Sequence, residues 1–339
     1  MKKRVLGMIL AAALAGAMLN GCGSTSSAPA PAAQKEETAA QEEVQTEAQQ
    51  TEETGEAQPE AETPADAAPA AEAPAEAAPA DAAPVADAEV VELQVFIAAS
   101  LNTSMQEVAA KYNEEHPEVK IVFNADSSGK LLTQIEEGYA CDVFFSAAQK
   151  QMNKLEEDGL IVEGTRANVV NNQVVVIKRK DTESAVTGLS DIGKASSIAL
   201  ADGSVPVGRY TRTALMNLGI LPEVEDASVY TTAEVSDALG GVEISEQGNV
   251  SQVLTAVAEG SCEVGTTYYS DTYGYEDQID ILERVSYDLT GNVIYPVCQV
   301  VNDEVTEAQK AAAADFVSFI TSDTAKAIFD SYYFDTNVQ

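Results

Sequence analysis

Val91-Glu92-Leu93-Gln94-Val95-Phe96-Ile97 runs into Ala98-Ala99-Ser100-Leu101, and this junction sets the architecture. The strand-like run first alternates and then turns wholly apolar, as a strand does when both its faces become buried. The turn after it opens a helical stripe over Asn102 to Glu115, with Leu101, Met105, Val108, Ala109 and Tyr112 on one side. The same unit recurs twice. Ile121-Val122-Phe123 leads through Asp126-Ser127-Ser128-Gly129-Lys130 into a helix from Lys130 to Glu137. Asp142-Val143-Phe144-Phe145 leads into a helix over Gln149 to Asp158. Gly138 and Gly159 follow these two helices, where a left-handed cap suits glycine. Strands alternating with helices predict a parallel sheet with right-handed crossovers.

The pattern then repeats with other lengths. Strands are expected at 173–178, 197–201, 264–268 and 293–301, and helices at 207–218, 250–259, 307–320 and 324–332. Two α/β lobes fit this count. The chain is expected to cross between them near 170 and near 275, so that 90–170 plus 276–339 form lobe 1 and 171–275 form lobe 2.

Ahead of residue 90 the composition changes. Lys2-Lys3-Arg4, an apolar run from Val5 to Leu19 and then Asn20-Gly21-Cys22 read as an export signal over residues 1–21. The apolar run falls short of the roughly 20 residues a membrane span needs. Residues 22–89 are Ala, Pro, Glu and Gln with almost no large apolar side chain, and prolines recur at 64, 69, 74, 79 and 84. Such a segment buries too little to offset its ordering entropy and reads as a disordered acidic tether. The formal net charge of −36 argues against a nucleic-acid partner. It does not argue against a small anion, because local donors outweigh a distant field screened over about 10 Å.

Four polar segments are where such donors lie. They are Ala98-Ala99-Ser100-Leu101, Asp126-Ser127-Ser128-Gly129-Lys130, Val205-Pro206-Val207-Gly208-Arg209-Tyr210 and Gly265-Thr266-Thr267-Tyr268-Tyr269-Ser270-Asp271. Hydroxyls and free N–H groups at helix starts donate without a formal charge, and several converging would make an anion site. Singly, Ser100 and Ser128 read as helix caps, and Tyr268 as a half-buried strand tyrosine. Lys130, Arg209 and Arg212 read as nearby surface charges able to steer an anion. Other chemistries have little to build on. His116 is the single histidine, at a helix end, and there is no Walker-type Gly-Lys-Ser/Thr loop. Cys141, Cys262 and Cys298 follow Cys22, and their spacing leaves one disulfide and three buried thiols equally open.

Several segments in order carry a family likeness. They are Phe96 to Leu101, Ser127 to Gly138, Cys141 to Ala147, Val205 to Tyr210, Asn249-Val250-Ser251-Gln252-Val253-Leu254 and Gly265 to Asp271. The closing run Phe316-Val317-Ser318-Phe319-Ile320, Ala327-Ile328-Phe329 and Tyr333-Phe334 completes the series. Across 90–339 the chain resembles the molybdate-binding proteins of ABC importers, lipoproteins of the type II periplasmic-binding-protein superfamily. The resemblance implies a two-lobed α/β fold, each lobe a mostly parallel sheet flanked by helices, with the ligand cleft between lobes. It implies a binding protein rather than an enzyme, with no cofactor and no bare metal ion. Its ligand would be molybdate or tungstate, held by Ser100, Ser128 and Tyr268 and by the backbone N–H groups of Val207 and Val250. It also implies a lipid on Cys22, anchorage to the outer face of the cell membrane, a permease partner and a monomer. Two features depart from the family: Thr266-Thr267 stands where an apolar pair is expected, and the stretch Thr231 to Gly248 is longer. The alternatives keep the fold and change the ligand, to ferric iron through Tyr268 and Tyr269, or to sulfate or phosphate.

Overall fold

The computed structural model describes residues 90–338. The expected signal, the tether and Cys22 lie outside the described residues. Lobe 1 begins with β1 (Val91–Ala98), α1 (Asn102–Asn113), β2 (Val119–Asp126), α2 (Ser128–Glu136), β3 (Val143–Phe145), α3 (Gln149–Glu157) and β4 (Ala167–Asn172). Lobe 2 is β5 (Val174–Arg179), β6 (Ser197–Ala201), α4 (Pro206–Asn217), α5 (Thr232–Ala238), β7 (Glu243–Gln247), α6 (Val250–Ala258), β8 (Val264–Tyr268) and β9 (Ile279–Arg284). The chain returns through α7 (Tyr287–Thr290) to β10 (Val293–Gln299), α8 (Glu307–Ile320) and α9 (Asp323–Ser331).

The two sheets have the strand orders β2-β1-β3-β10-β4 and β7-β6-β8-β5-β9. In the first, β1 runs parallel to β2 and β3, while β10 is antiparallel to both its neighbours. In the second, β6 runs parallel to β7 and β8, while β5 is antiparallel to both its neighbours. Each sheet therefore has four strands in one direction and a single reversed strand. The reversed strand is in each case the first one laid down after the chain changes lobe.

The outward crossing is a single residue, Gln173, between β4 and β5. The return crossing lies between Arg284 and Val293, beyond the expected position near 275. Residues 279–284 pair with β5 and so belong to lobe 2, not lobe 1. The physical reason is that β9 is an edge strand: Ile279-Asp280-Ile281-Leu282-Glu283-Arg284 is half polar and only Ile279 is buried. The long stretch from Thr231 also resolves into structure. Thr231 and Glu234 form a capping box that starts α5, and β7 follows as the other edge of the sheet.

The central strands carry the core. Leu93, Val95 and Ile97 on β1, Val143 to Phe145 on β3, and Val174 to Ile177 on β5 are solvent-inaccessible. Helix α1 covers the first sheet with Met105, Val108 and Tyr112, the stripe its spacing predicts. Burying a Leu, Ile or Phe in such a place contributes about 1.5–3 kcal/mol, so these strands outweigh the marginal helical propensities around them. Cys141, Cys262 and Cys298 are free buried thiols, and desolvation pushes Cys298 up to about 12. His116 stacks on Tyr112 at 4.3 Å and faces Asp315 at 3.3 Å, at the end of α1.

Candidate functional site

The helices that follow the strands meet at their N-termini across the cleft between the sheets. Helices α2, α4 and α6 begin at Ser128, Pro206 and Val250. Each exposes N–H groups without intrahelical acceptors and adds the positive end of its dipole. Pro206 suits the first turn of α4, since the N–H it lacks would have had no partner there.

These ends line a small pocket. Its wall is Ala98, Ala99, Ser100, Ser127, Ser128 and Ala147 from lobe 1, with Val205, Pro206, Val207, Asn249, Val250 and Tyr268 from lobe 2. All five positions singled out from the sequence lie on this wall. The wall holds no carboxylate, no histidine and no formal positive charge.

Neither serine caps its helix. Ser127 caps α2 by accepting from the Lys130 N–H, and Ala98 precedes the short 3-10 turn that contains Ser100. The hydroxyl of Ser128 instead accepts a 2.9 Å bond from the Ala147 N–H. An N–H can only donate, so the Ser128 proton is left to point elsewhere. Asn249 caps α6, and its amide donates across the cleft to Asp126 Oδ1 at 3.2 Å. That bond sets the start of α6 against the start of α2.

Tyr268 ends β8, is 1% exposed, and packs edge-on against Tyr295 at 5.8 Å. Its hydroxyl is fully buried and has no hydrogen-bond partner in the protein. Desolvation, reinforced by Tyr295, Tyr210 and Asp271, drives its pKa well above the usual phenol value, so it stays a proton donor. Asp271 fixes the backbone here by accepting from the Tyr268 N–H and from Thr267 Oγ1, and burial pushes its carboxyl up to about 6. The unexpected pair Thr266-Thr267 is thereby accounted for: Thr267 holds Asp271, and Thr266 Oγ1 lies 3.0 Å from Thr211 Oγ1.

The three nearby cations are otherwise engaged. Lys130 faces Asp126 at 3.4 Å, and Arg209 faces Asp226 at 3.5 Å. Arg212 is fully buried and bonds backbone carbonyls. Nor do Tyr268 and Tyr269 share a site. Tyr269 stacks on Tyr333 at 4.8 Å and lies under Arg284 at 3.8 Å, facing a different cavity. Among the described residues no cluster of His, Cys, Asp or Glu is placed to hold a metal ion.

The lobes touch along the cleft rim. Lys150 Nζ reaches Asp226 and Ser228 at 2.6 and 2.9 Å, and Gly129 lies against the backbone of Ser204. The arrangement is thus an uncharged pocket between touching lobes, with the hydroxyls of Ser100, Ser128 and Tyr268 and the starts of α2, α4 and α6 on its wall. Sequence reasoning missed Ala147, Asn249 as a bridge, and Tyr295. Only Asn249 carried a signal, as an Asn just before an apolar helical run.

Residues 93–335 match the family model described as bacterial extracellular solute-binding protein. The molybdate-binding protein ModA of Haemophilus influenzae is 30% identical over 73% of this chain and 91% of its own. YvgL of Bacillus subtilis is 31% identical over 72% of this chain and 86% of its own. A solved substrate-binding domain from Clostridium difficile is 31% identical, with a TM-score of 0.53 over 73% of this chain and 99% of that one.

Proposed function

We propose that this chain, which belongs to the family of bacterial extracellular solute-binding proteins, captures molybdate or tungstate outside the cell and delivers it to an ABC importer. The observation that carries the ligand class is the buried, partnerless and protonated Tyr268 hydroxyl in a pocket with no formal charge. A fully deprotonated tetrahedral dianion accepts hydrogen bonds and has none to give, so donors alone suit it. Ser100, Ser128 and Tyr268 supply O–H donors, and Val207 and Val250 supply N–H donors at helix starts. The Haemophilus relative, named for molybdate, points to the larger group-six oxyanions among such dianions. Tungstate has nearly the size and the charge of molybdate and fits the same donors.

Iron bound through paired tyrosines has no support in the geometry, since Tyr269 faces away from the pocket. Sulfate is smaller, and donors fixed on two rigid lobes cannot shrink around it. Hydrogen phosphate brings a proton that would meet donors only. Titration calorimetry of residues 90–339 tests the reading. Molybdate and tungstate should bind with similar affinity, and millimolar sulfate or phosphate should fail to displace micromolar molybdate. Ready displacement by either would overturn the ligand assignment. Ser128→Ala and Tyr268→Phe should each weaken molybdate roughly 10- to 100-fold, the cost of leaving a charged acceptor one bond short. Unchanged affinity in both would place the ligand elsewhere.

The protein would be held at the membrane by a lipid on Cys22, with residues 22–89 as spacer. Cys22→Ala should release the full chain from the membrane fraction, and retention there would count against the anchor. Among the described residues no helix is long and apolar enough to cross a membrane.

A further inference from the structure

Behind Ser100 lies a buried chain of polar groups that the donor set above does not include. Asn172 ends β4 at the outward crossing and is 2% exposed; Tyr295, on the reversed strand β10, is fully buried. Asn172 Nδ2 lies 3.1 Å from the Tyr295 hydroxyl, which lies 2.9 Å from Ser100 Oγ. The same Nδ2 donates to Ser270 Oγ of lobe 2 at 2.8 Å.

The direction of every proton in this chain follows from its far end. Asn172 Oδ1 faces the N–H of Gln173 at 2.8 Å and the N–H of Ser270 at 3.4 Å. Backbone N–H groups only donate, so this end of the amide is the oxygen and the other is the NH₂. The NH₂ therefore donates to Ser270 and to Tyr295. Tyr295 has one proton, and the one remaining polar neighbour is Ser100 Oγ. Were Ser100 to donate to Tyr295, the buried Tyr295 proton would have no acceptor, which is a costly arrangement. Tyr295 thus donates to Ser100, and Ser100 is left to donate into the pocket it lines. Ser128 is turned the same way by the Ala147 N–H.

We propose that Asn172 and Tyr295 are positioning residues that lock Ser100 as a donor, and that this lock excludes anions carrying a proton. The proposal rests on the oxyanion reading of the site. A serine free to rotate can accept a proton from hydrogen phosphate as readily as it donates to molybdate. A serine fed from behind has one of its two lone pairs taken and its own proton turned into the pocket, so a ligand proton arriving there meets a proton. Selectivity against protonated anions is then set from the core, one residue behind the pocket wall.

The test is a double-mutant cycle read by calorimetry at pH 7.5 with molybdate, tungstate, sulfate and phosphate. Tyr295→Phe keeps the ring in its edge-on contacts with Tyr268 and Phe334 and deletes only the hydroxyl. It should weaken molybdate about 5- to 10-fold, the scale of one misdirected hydrogen bond. The molybdate-to-phosphate affinity ratio should fall further than the molybdate-to-sulfate ratio. In a Ser100→Ala background, Tyr295→Phe should change neither affinity nor ratio. Asn172→Leu cuts the relay one step further back and should show the same dependence on Ser100, which keeps the test decisive if one variant fails to fold. Equal losses in both backgrounds would mean a purely structural role, and no loss in the native background would mean no role; either sinks the relay. The cycle is read with whichever oxyanion the native protein binds. Native protein that ignores molybdate but binds sulfate would overturn the ligand assignment while leaving the relay open to the same arithmetic.

Discussion

Gly129→Val is expected to lower molybdate affinity about 1000-fold while leaving the melting temperature of the ligand-free protein within a few degrees of the original. Gly129 is the second residue of α2 in lobe 1, and a Cβ built on it would sit 2.7 Å from the backbone oxygen of Ser204 in lobe 2. Real side chains do not approach a backbone oxygen so closely, and valine adds two methyl groups to the overlap. Nothing flexible is available to yield, because Ser204 is tied by two bonds to Asp202 and leads directly into α4. The overlap exists only while the cleft is shut. Opening the lobes relieves it at no cost to either core, so thermal stability should barely change. An open cleft separates the anion from Val207, Val250 and Tyr268, all in lobe 2. Losing three bonds to a charged acceptor, each worth about 1.5 kcal/mol, gives the expected factor. Calorimetry measures it. Small-angle scattering gives the cause: saturating molybdate should reduce the radius of gyration of the native domain and not that of the variant. Near-native affinity in Gly129→Val would mean that binding does not need the closed cleft.

How much of this could be read beforehand depends on where a strand sits in its sheet. Strands β1, β3, β5, β6, β8 and β10 are central and largely apolar, and periodicity finds them. The strands the sequence hid are β4, β7 and β9, and all three are edges. An edge strand such as Glu243-Ile244-Ser245-Glu246-Gln247 has no buried residue, so no hydrophobic pattern announces it. That is also why the return crossing was expected too early: β9 was not visible as a strand. The reversal of β5 and β10 is likewise absent from the sequence, since pleat alternation is the same for either direction.

The candidate site was legible as positions and not as proton directions. Ser100, Ser128, Val207, Val250 and Tyr268 each end or follow a strand or lie in the first turn of a helix, so the chain pattern alone brings them to one end of the sheets. On the proposed reading, the group behind each serine makes it a donor, Ala147 for one and Tyr295 for the other. Tyr295 lies within Val293-Ile294-Tyr295-Pro296-Val297-Cys298-Gln299, which reads as an ordinary buried strand. The role comes from contacts 195 residues apart, and one sequence carries no mark of them.

Arg212→Met is expected to destabilise the protein by about 3–5 kcal/mol, the largest stability effect of any single change considered. From the sequence this arginine reads as a surface charge beside an anion motif. The structure buries it completely and surrounds it with acceptors. Its Nη1 donates to the carbonyls of Ala201 and Gly208 at 2.7 and 3.0 Å, and its Nε to the carbonyl of Tyr230 at 2.9 Å. Nη2 lies 3.3 Å from Thr232 Oγ1. One planar fork therefore joins the end of β6, the first turn of α4 and the start of α5. Desolvation lowers its pKa, opposed by Asp202 and Glu246, and an arginine has ample margin to stay charged. Methionine fills similar space but removes the donors that reach the carbonyls of Ala201, Gly208 and Tyr230. Lysine restores the charge and not the fork, so Arg212→Lys should recover only part of the loss. For a domain of this size the expected shift is a fall of roughly 8–15 °C in melting temperature, read by calorimetry. Gly208 shows how little slack exists there: a Cβ on it would lie 2.2 Å from the Asp202 carbonyl oxygen and 2.4 Å from that of Ala201. The same fork holds the turn that carries Val207, so affinity for the anion should fall along with stability. If Arg212→Met melts within 2 °C of the native protein, the arginine is not the clamp of this corner, and the placement of the Val207 N–H must be owed to something else.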